Sequence, residues 1–340
     1  MSCLCQLNRV SGLGVPTERV GPVVIHAGDD RPHTLFEVVH AVALAPGPAE
    51  QGQAGQRTDG GMSIKKIMRL PENDKTNGWS RLLAPRTPKP ALAKDLQADW
   101  VIVGGGLAGL AAARRLAENR PGDSIVVLEA DLVGEGAQGR NSGFAIDSPH
   151  NVGSSMGELD AARSHVRLAR TAIAYLRTQV ERYGIECDWS PIGKFHAAVS
   201  EEGVRTTLKP TLQVLESLKE PHEWLDGKAL HDKLGFKHFR TGIYTPGTVL
   251  LNPAGLSRGL ADNMPSNVTV YEKTPVLSVQ QGDGVTLETP GGKVRAGKMI
   301  LAVNVFAEQF GFYSGKLMPM AAHASLTRCL TESEQRELGG

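Results

Sequence analysis

Three glycines and one acid carry the chemistry that can be read most directly from this chain. Gly104, Gly106 and Gly109 stand in the G-x-G-x-x-G spacing, and Glu129 follows about twenty residues beyond the last of them. A side chain at Gly104 would obstruct a tight turn, one at Gly106 would keep the backbone away from a pyrophosphate, and one at Gly109 would hold a helix off its strand. A carboxylate at Glu129 accepts hydrogen bonds from an adenosine ribose, and its charge repels a 2′-phosphate, so NADP is a poor fit. The chemistry implied is the holding of a dinucleotide by its diphosphate and its sugar. Taken alone, the glycine spacing also describes an ordinary tight turn.

The elements needed to position these residues are written around them. Trp100 to Val103 is a short apolar run ended by glycine, which predicts a buried parallel strand. Leu107 to Glu118, rich in Ala, Leu and Arg, predicts a helix whose free N-terminal N–H groups face the phosphates, with Leu107 and Ala108 supplying the first of them. Ser124 to Leu128 predicts the next strand, ending on Glu129 and Ala130. Strand, turn, helix, strand and acid in that order predict a βαβ unit rather than an isolated turn. Gly134 to His150 is too glycine-dense for helix or strand, and a loop so rich in N–H donors after the ribose acid is a candidate second clamp, or else a plain surface loop.

Composition narrows the remaining possibilities. With 340 residues, 41% of them hydrophobic, the chain can build one large domain or two. Its 37 basic and 36 acidic residues leave a formal net charge of +1, which gives no electrostatic case for nucleic acid or an anionic membrane. Cys3, Cys5, Cys187 and Cys329 form no C-x-x-C pair, so neither a metal centre nor a disulfide framework is expected. No apolar run approaches the roughly 18 residues of a membrane span, and a cytoplasmic location is expected. Residues 1–61 end in a Gly- and Gln-rich linker and are expected to be a disordered extension, with translation starting naturally at Met62.

Further along, residues 62–98 are basic and proline-containing and predict a lead-in that wraps the first domain. Glu158 to Tyr183 has the three-and-four spacing of an amphipathic helix, with Arg163, Arg167, Arg170 and Arg177 expected on a solvated face and Gly184 as its stop. Ile185 to Val199 predicts strands, Glu201 to Glu220 a helix, and Pro253 the start of another. Val268–Glu272, Val276–Gln280, Val285–Glu288 and Lys298–Val303 predict strands, with hairpin turns at Gly282-Asp-Gly and Pro290-Gly-Gly.

The glycine turn, Glu129 and Gly139-Arg140-Asn141-Ser142-Gly143 together resemble the FAD-dependent amine and D-amino-acid oxidase superfamily, in particular the branch of glycine and sarcosine oxidases and gamma-glutamylputrescine oxidoreductase. Asn252-Pro253 with Leu256 and Leu260, Thr274-Pro275-Val276 and Ile300-Leu-Ala-Val-Asn304 agree with it in order, so the resemblance covers about residues 98–327. It implies FAD as cofactor, with Gly139, Arg140, Asn141 and Ser142 along the flavin, Val276 at the adenine, and Ala302, on the last of these strands, also among the cofactor-binding residues. The implied fold is α/β (α+β overall): a Rossmann-like FAD-binding domain at 99–193 and 248–310, interleaved with a smaller mixed-sheet substrate domain at 194–247. The return to that domain at 311–340 is incomplete, so the chain resembles a C-terminally truncated member. Gln138 departs from the pattern, standing where relatives often have serine.

The implied reaction is oxidation of the C–N bond of an amine or amino acid, with hydride passing to flavin and an imine released for hydrolysis. Its partners are a small-molecule amine or amino-acid substrate and an acceptor, either oxygen or a quinone. A flavin-binding, non-catalytic or partner-dependent subunit is the first alternative, and an NAD-dependent dehydrogenase the second. No catalytic residue is assigned. Tyr244, His196 and His150 are candidate bases, and Lys194 and Arg140 candidate carboxylate anchors, each with a structural role as the plainer reading.

Overall fold

The structure, a computed structural model, describes residues 23–25, 42–43, 64–148, 159–235, 237–319 and 326–337. The expected extension over residues 1–61, the start at Met62 and the candidate His150 therefore lie outside the described residues, apart from two short strands, β1 (Val23–Ile25) and β2 (Val42–Ala43). The chain divides into two compact units. One comprises residues 37–141 and 253–321, and the other residues 1–36, 142–252 and 322–340.

The first unit is built on one sheet. Strands β3 (Ile64–Lys66), β4 (Leu96–Val103) and β5 (Ile125–Leu128) come before the chain leaves the unit; β11 (Val268–Tyr271), β12 (Ser278–Gln281), β13 (Val285–Thr289) and β14 (Gly292–Leu301) come after it returns. Their order is β11-β5-β4-β14-β13-β12-β3, and β2 pairs with β14. The first four are mutually parallel, and the rest form an antiparallel meander. Val101, Ile102, Val127 and Leu128 are buried to 1% exposure or less, as central parallel strands covered on both faces require. Each such side chain contributes roughly 1.5–3 kcal/mol by leaving water. Helix α2 (Leu107–Asn119) makes the crossover from β4 to β5 and completes the predicted βαβ unit.

The predicted strand at Lys298–Val303 is the second half of the longer β14. Its first half alternates Lys293, Arg295 and glycines with the buried Val294 and Ala296, so charged residues on the open face hide a strand that pairs on both edges. Hairpin turns occur where Gly282-Asp-Gly and Pro290-Gly-Gly predict them.

The lead-in is largely irregular but tied down. It holds the one-turn helix α1 (Gly78–Arg81), capped by the Asn77 side chain, while the N–H of Leu92 donates to Thr274 Oγ1 (3.1 Å).

The second unit carries β6 (Phe144–Ala145), β7 (Lys194–Ala198), β8 (Glu223–Asp226), β9 (Thr241–Thr245) and β10 (Val249–Leu250). β7, β9 and β8 form an antiparallel sheet with β1 along the free edge of β7, and β10 pairs with β6. Helix α3 (Leu159–Tyr183) matches the amphipathic expectation and stops at Gly184, whose φ of +59° suits a residue without Cβ. The helix expected over Glu201–Glu220 is interrupted. A turn, α4 (Glu201–Gly203), runs into a π-helical stretch at Val204–Leu208 and then α5 (Lys209–Leu218). Pro210 supplies the reason: it has no N–H to donate and its ring would strike the carbonyl of Thr206, so the backbone widens by one residue. Helices α6 (Gly227–Leu234) in this unit and α7 (Pro253–Asp262) in the first follow, with α8 (Glu332–Glu337) near the end of the described residues; α7 starts at the predicted proline.

Candidate functional site

The turn from β4 into α2 is shaped by glycines that leave no room for side chains. Gly104 has φ +103°, and a Cβ there would lie 2.4 Å from the carbonyl oxygen of Ala302. A Cβ on Gly109 would lie 1.9 Å from the carbonyl oxygen of Gly104, so α2 packs onto its own strand at backbone distance. Gly106 differs. It has ordinary extended backbone at φ −73°, and a Cβ there would meet the Gln138 carboxamide, its Oε1 at 3.2 Å. What a side chain at Gly106 would occupy is the space in front of the helix N-terminus, where an anion gains from free N–H groups and the helix dipole.

Glu129 stands at the end of β5 with its carboxylate turned toward this turn. Its Oε2 accepts from Gly105 N (2.7 Å) and its Oε1 from Asp131 N (3.0 Å). Burial pushes its pKa up, the charges of Asp131 and Glu272 add to the rise, and the two backbone N–H groups oppose it. Glu272 is the neighbouring acid because β11 runs parallel to β5 with Tyr271 opposite Leu128. Fully buried, it accepts from Arg86, from Lys89 N and from Val133 N (2.5 Å for each of the two backbone bonds). It thereby fastens the lead-in to the segment that leaves Glu129. Sequence reading passes over Glu272 as a strand end; the available signal is an acid on the strand beside the ribose acid.

The second glycine-rich segment is held just as closely. Gly134 has φ +89°, and a Cβ on Gly139 would sit 1.8 Å from the Gly134 carbonyl oxygen. Arg140 donates to Glu135 O (2.8 Å), Asp74 (2.7 Å) and Asn73 (2.9 Å), and Trp79 Nε1 donates to Asn141 O (2.8 Å). The Arg140 guanidinium is thus engaged by the lead-in. Gln138 Oε1 accepts from Leu107 N, and its Nε2 donates to Ser257 Oγ on α7.

Of the sequence-predicted cofactor residues, Gly104, Gly106, Leu107, Ala108, Gly109, Glu129, Ala130, Gly139, Arg140, Asn141, Val276 and Ala302 belong to the first unit, and Ser142 to the second. Val276 is buried in the core of the sheet. Ala302 N donates to Val103 O (2.8 Å), which places Ala302 beside the turn.

The candidate bases Tyr244 and His196 and the candidate anchor Lys194 lie in the second unit, whereas the other candidate anchor, Arg140, lies in the first. Tyr244 donates to Ile192 O (3.0 Å) and its ring rests 5.1 Å from that of Phe195, a structural placement. His196 lies on β7 opposite Ile243. Lys194 is buried on the same strand opposite Thr245, and burial lowers its pKa to about 8 against the opposing pull of Asp147. Of the four arginines expected on the solvated face of α3, Arg163 and Arg177 make exposed pairs within the helix, with Asp160 (2.9 Å) and Glu181 (3.7 Å), while Arg170 reaches off the helix to Asp147 (3.0 Å) and Glu220.

The donor set fits a flavin dinucleotide: a helix N-terminus at a glycine turn, capped by the neutral Gln138 amide, for the diphosphate, and a half-buried carboxylate at the next strand end for the ribose. No helix among the described residues is long and apolar enough to cross a membrane. Known proteins with related sequences and structures point the same way. The chain is 30% identical to the gamma-glutamylputrescine oxidoreductase of Escherichia coli over 232 residues, 64% of this chain and 52% of that protein. It is 28% identical to a probable oxidoreductase, OrdL, of Rhizobium meliloti, covering 72% of this chain and 56% of the relative. It thus spans about half the length of these curated relatives. Among solved structures, glycine oxidase from Geobacillus kaustophilus superposes with a TM-score of 0.56 at 25% identity, over 65% of this chain and 59% of the other. Residues 99–339 match the model of the DAO family, FAD-dependent oxidoreductases, and the chain belongs to that family.

Proposed function

We propose that this chain binds FAD at the α2 turn and serves the oxidation of a C–N bond in an amine or amino acid. The observation that carries the proposal is the placement of the Glu129 carboxylate against Gly105 N (2.7 Å), at the mouth of the turn that Gly104 and Gly109 keep clear. In this reading Leu107 and Ala108 offer N–H groups to the diphosphate, and Glu129 grips the ribose. Ala130 and Val276 flank the adenine, while Gly139, Arg140, Asn141 and Ser142 form the loop along the flavin. The raised pKa of Glu129 suits a carboxyl that recovers favourable contacts when sugar hydroxyls replace water. Bound flavin would supply the hydride acceptor, leaving the protein to bind and orient the substrate and exclude water.

The amine or amino-acid substrate class is supported by what two relatives are named for, gamma-glutamylputrescine and glycine. The test is an anaerobic screen of secondary amines and amino acids against the FAD-loaded protein, followed at the flavin absorbance. Bleaching by a member of the panel, reversed by oxygen or by a quinone, is the expected result and identifies the acceptor. A yellow protein that no amine bleaches would contradict the catalytic part of the proposal, and a colourless protein that binds NAD would contradict all of it.

A further inference from the structure

The side chain of Gln138 does something the family's glycine turn does not require. It lies in the short 3-10 turn Ala137–Gly139, and its carboxamide bridges two helices: Oε1 accepts from Leu107 N at the start of α2, and Nε2 donates to the buried Ser257 on α7. Ser257 in turn donates to Pro253 O (2.6 Å), so the bridge is anchored at its far end. Gly106 offers α2 no side-chain cap, and no acid stands in the helix's first turn. The first N–H groups of a helix have no partner within it, and here a neutral amide from 31 residues away takes that of Leu107.

That N–H is the one a diphosphate at this turn would use. We infer that the Gln138 carboxamide is a built-in competitor for the diphosphate, capping α2 in the ligand-free protein and swinging aside when FAD enters. This rests on the reading that FAD binds at the α2 turn. Charge decides the exchange. A phosphate oxygen bears negative charge, and its hydrogen bond with the helix N–H is roughly twice as strong as that of a neutral amide, so the cap yields to the cofactor. A carboxylate at the same place would not yield so readily.

The backbone that carries Gln138 is held without its side chain. Gly139 packs on the Gly134 carbonyl, Asn141 Nδ2 donates to Gln138 O, and Trp79 Nε1 donates to Asn141 O (2.8 Å). Side-chain replacements at 138 therefore leave the loop in place.

The test measures two quantities on the FAD-free protein, its thermal midpoint and its FAD dissociation constant by quenching of flavin fluorescence. Gln138→Ala removes the cap, and is expected to lower the midpoint by a few degrees and tighten FAD binding about fivefold, the value of a helix cap. Gln138→Glu installs an anionic cap and is expected to raise the midpoint while weakening FAD more than about tenfold. A competitor moves stability and affinity in opposite directions; a side chain that merely supports the loop moves them together. If Gln138→Ala weakens both, the inference is overturned while FAD binding by the unaltered protein stands. If the unaltered protein binds no FAD, the reading of the site fails and takes this inference with it.

Discussion

The two glycine-rich segments of the first unit use one device in two settings. In each, a glycine with positive φ presents its carbonyl to a second glycine five positions on: Gly104 (φ +103°) to Gly109 at a would-be Cβ distance of 1.9 Å, and Gly134 (φ +89°) to Gly139 at 1.8 Å. The first pair is framed by a buried strand and a helix, so the backbone ladder on either side fixes it. The second is framed by irregular chain and depends on side chains reaching from the lead-in, chiefly Trp79, Asn73 and Asp74. Regular elements make a turn rigid by themselves, whereas a clamp built on a loop is only as firm as the distant residues that hold it.

The largest expected effect sharpens this contrast. Gly109→Ala drives a methyl into a backbone carbonyl between strand and helix, and is expected to cost more than about 3 kcal/mol in a denaturant titration. Gly139→Ala meets an equally close carbonyl but in the loop; its loss is expected to appear as protease cleavage near residues 134–141 with the sheet still folded. Equal global unfolding by both would break the distinction.

Glu129→Gln probes the acid that serves the first turn. A carboxyl whose folded pKa is raised contributes stability below its ordinary value of about 4.5 and loses it as pH rises through the folded pKa. The stability difference is therefore expected to shift in favour of the Gln variant between acid and neutral pH, while FAD affinity falls about tenfold or more for the loss of a charge-assisted hydrogen bond. A pH-independent difference would contradict the burial argument. Trp79→Phe keeps an aromatic ring but removes the bond to Asn141 O and part of the buried indole, and is expected to cost about 2 kcal/mol, read as a lower thermal midpoint and faster amide exchange in the loop. Gly136→Ala is the smallest. Its Cβ meets nothing within 4 Å, so stability should stay within about 0.5 kcal/mol.

What sequence reading could recover follows the same division. β4, α2, β5 and Glu129 were legible because local patterning alone specifies them: a β-branched run, a glycine turn, a strong helix former, an acid. The first half of β14 was hidden by its exposed charges, and the π-helical stretch by a proline read as part of a continuous helix. Gln138 could be seen as a departure, but its bond to Leu107 joins residues 31 apart and has no local signature. Glu272 and Arg86 were missed for the same reason, since their pairing spans 186 positions. The engagement of Arg140 by the lead-in likewise follows from tertiary placement rather than from the loop's own sequence.

The central claim is that the α2 turn receives the FAD diphosphate, and Gly106→Val tests it most directly. The backbone at Gly106 is extended at φ −73° and accepts a side chain, so the variant is expected to fold, with a circular dichroism spectrum like that of the unaltered protein. Its branched side chain would fill the space in front of the helix N-terminus. FAD titration should give one equivalent bound to the unaltered protein and none to a folded Gly106→Val; a folded variant that still takes up one equivalent with unchanged affinity would contradict the account.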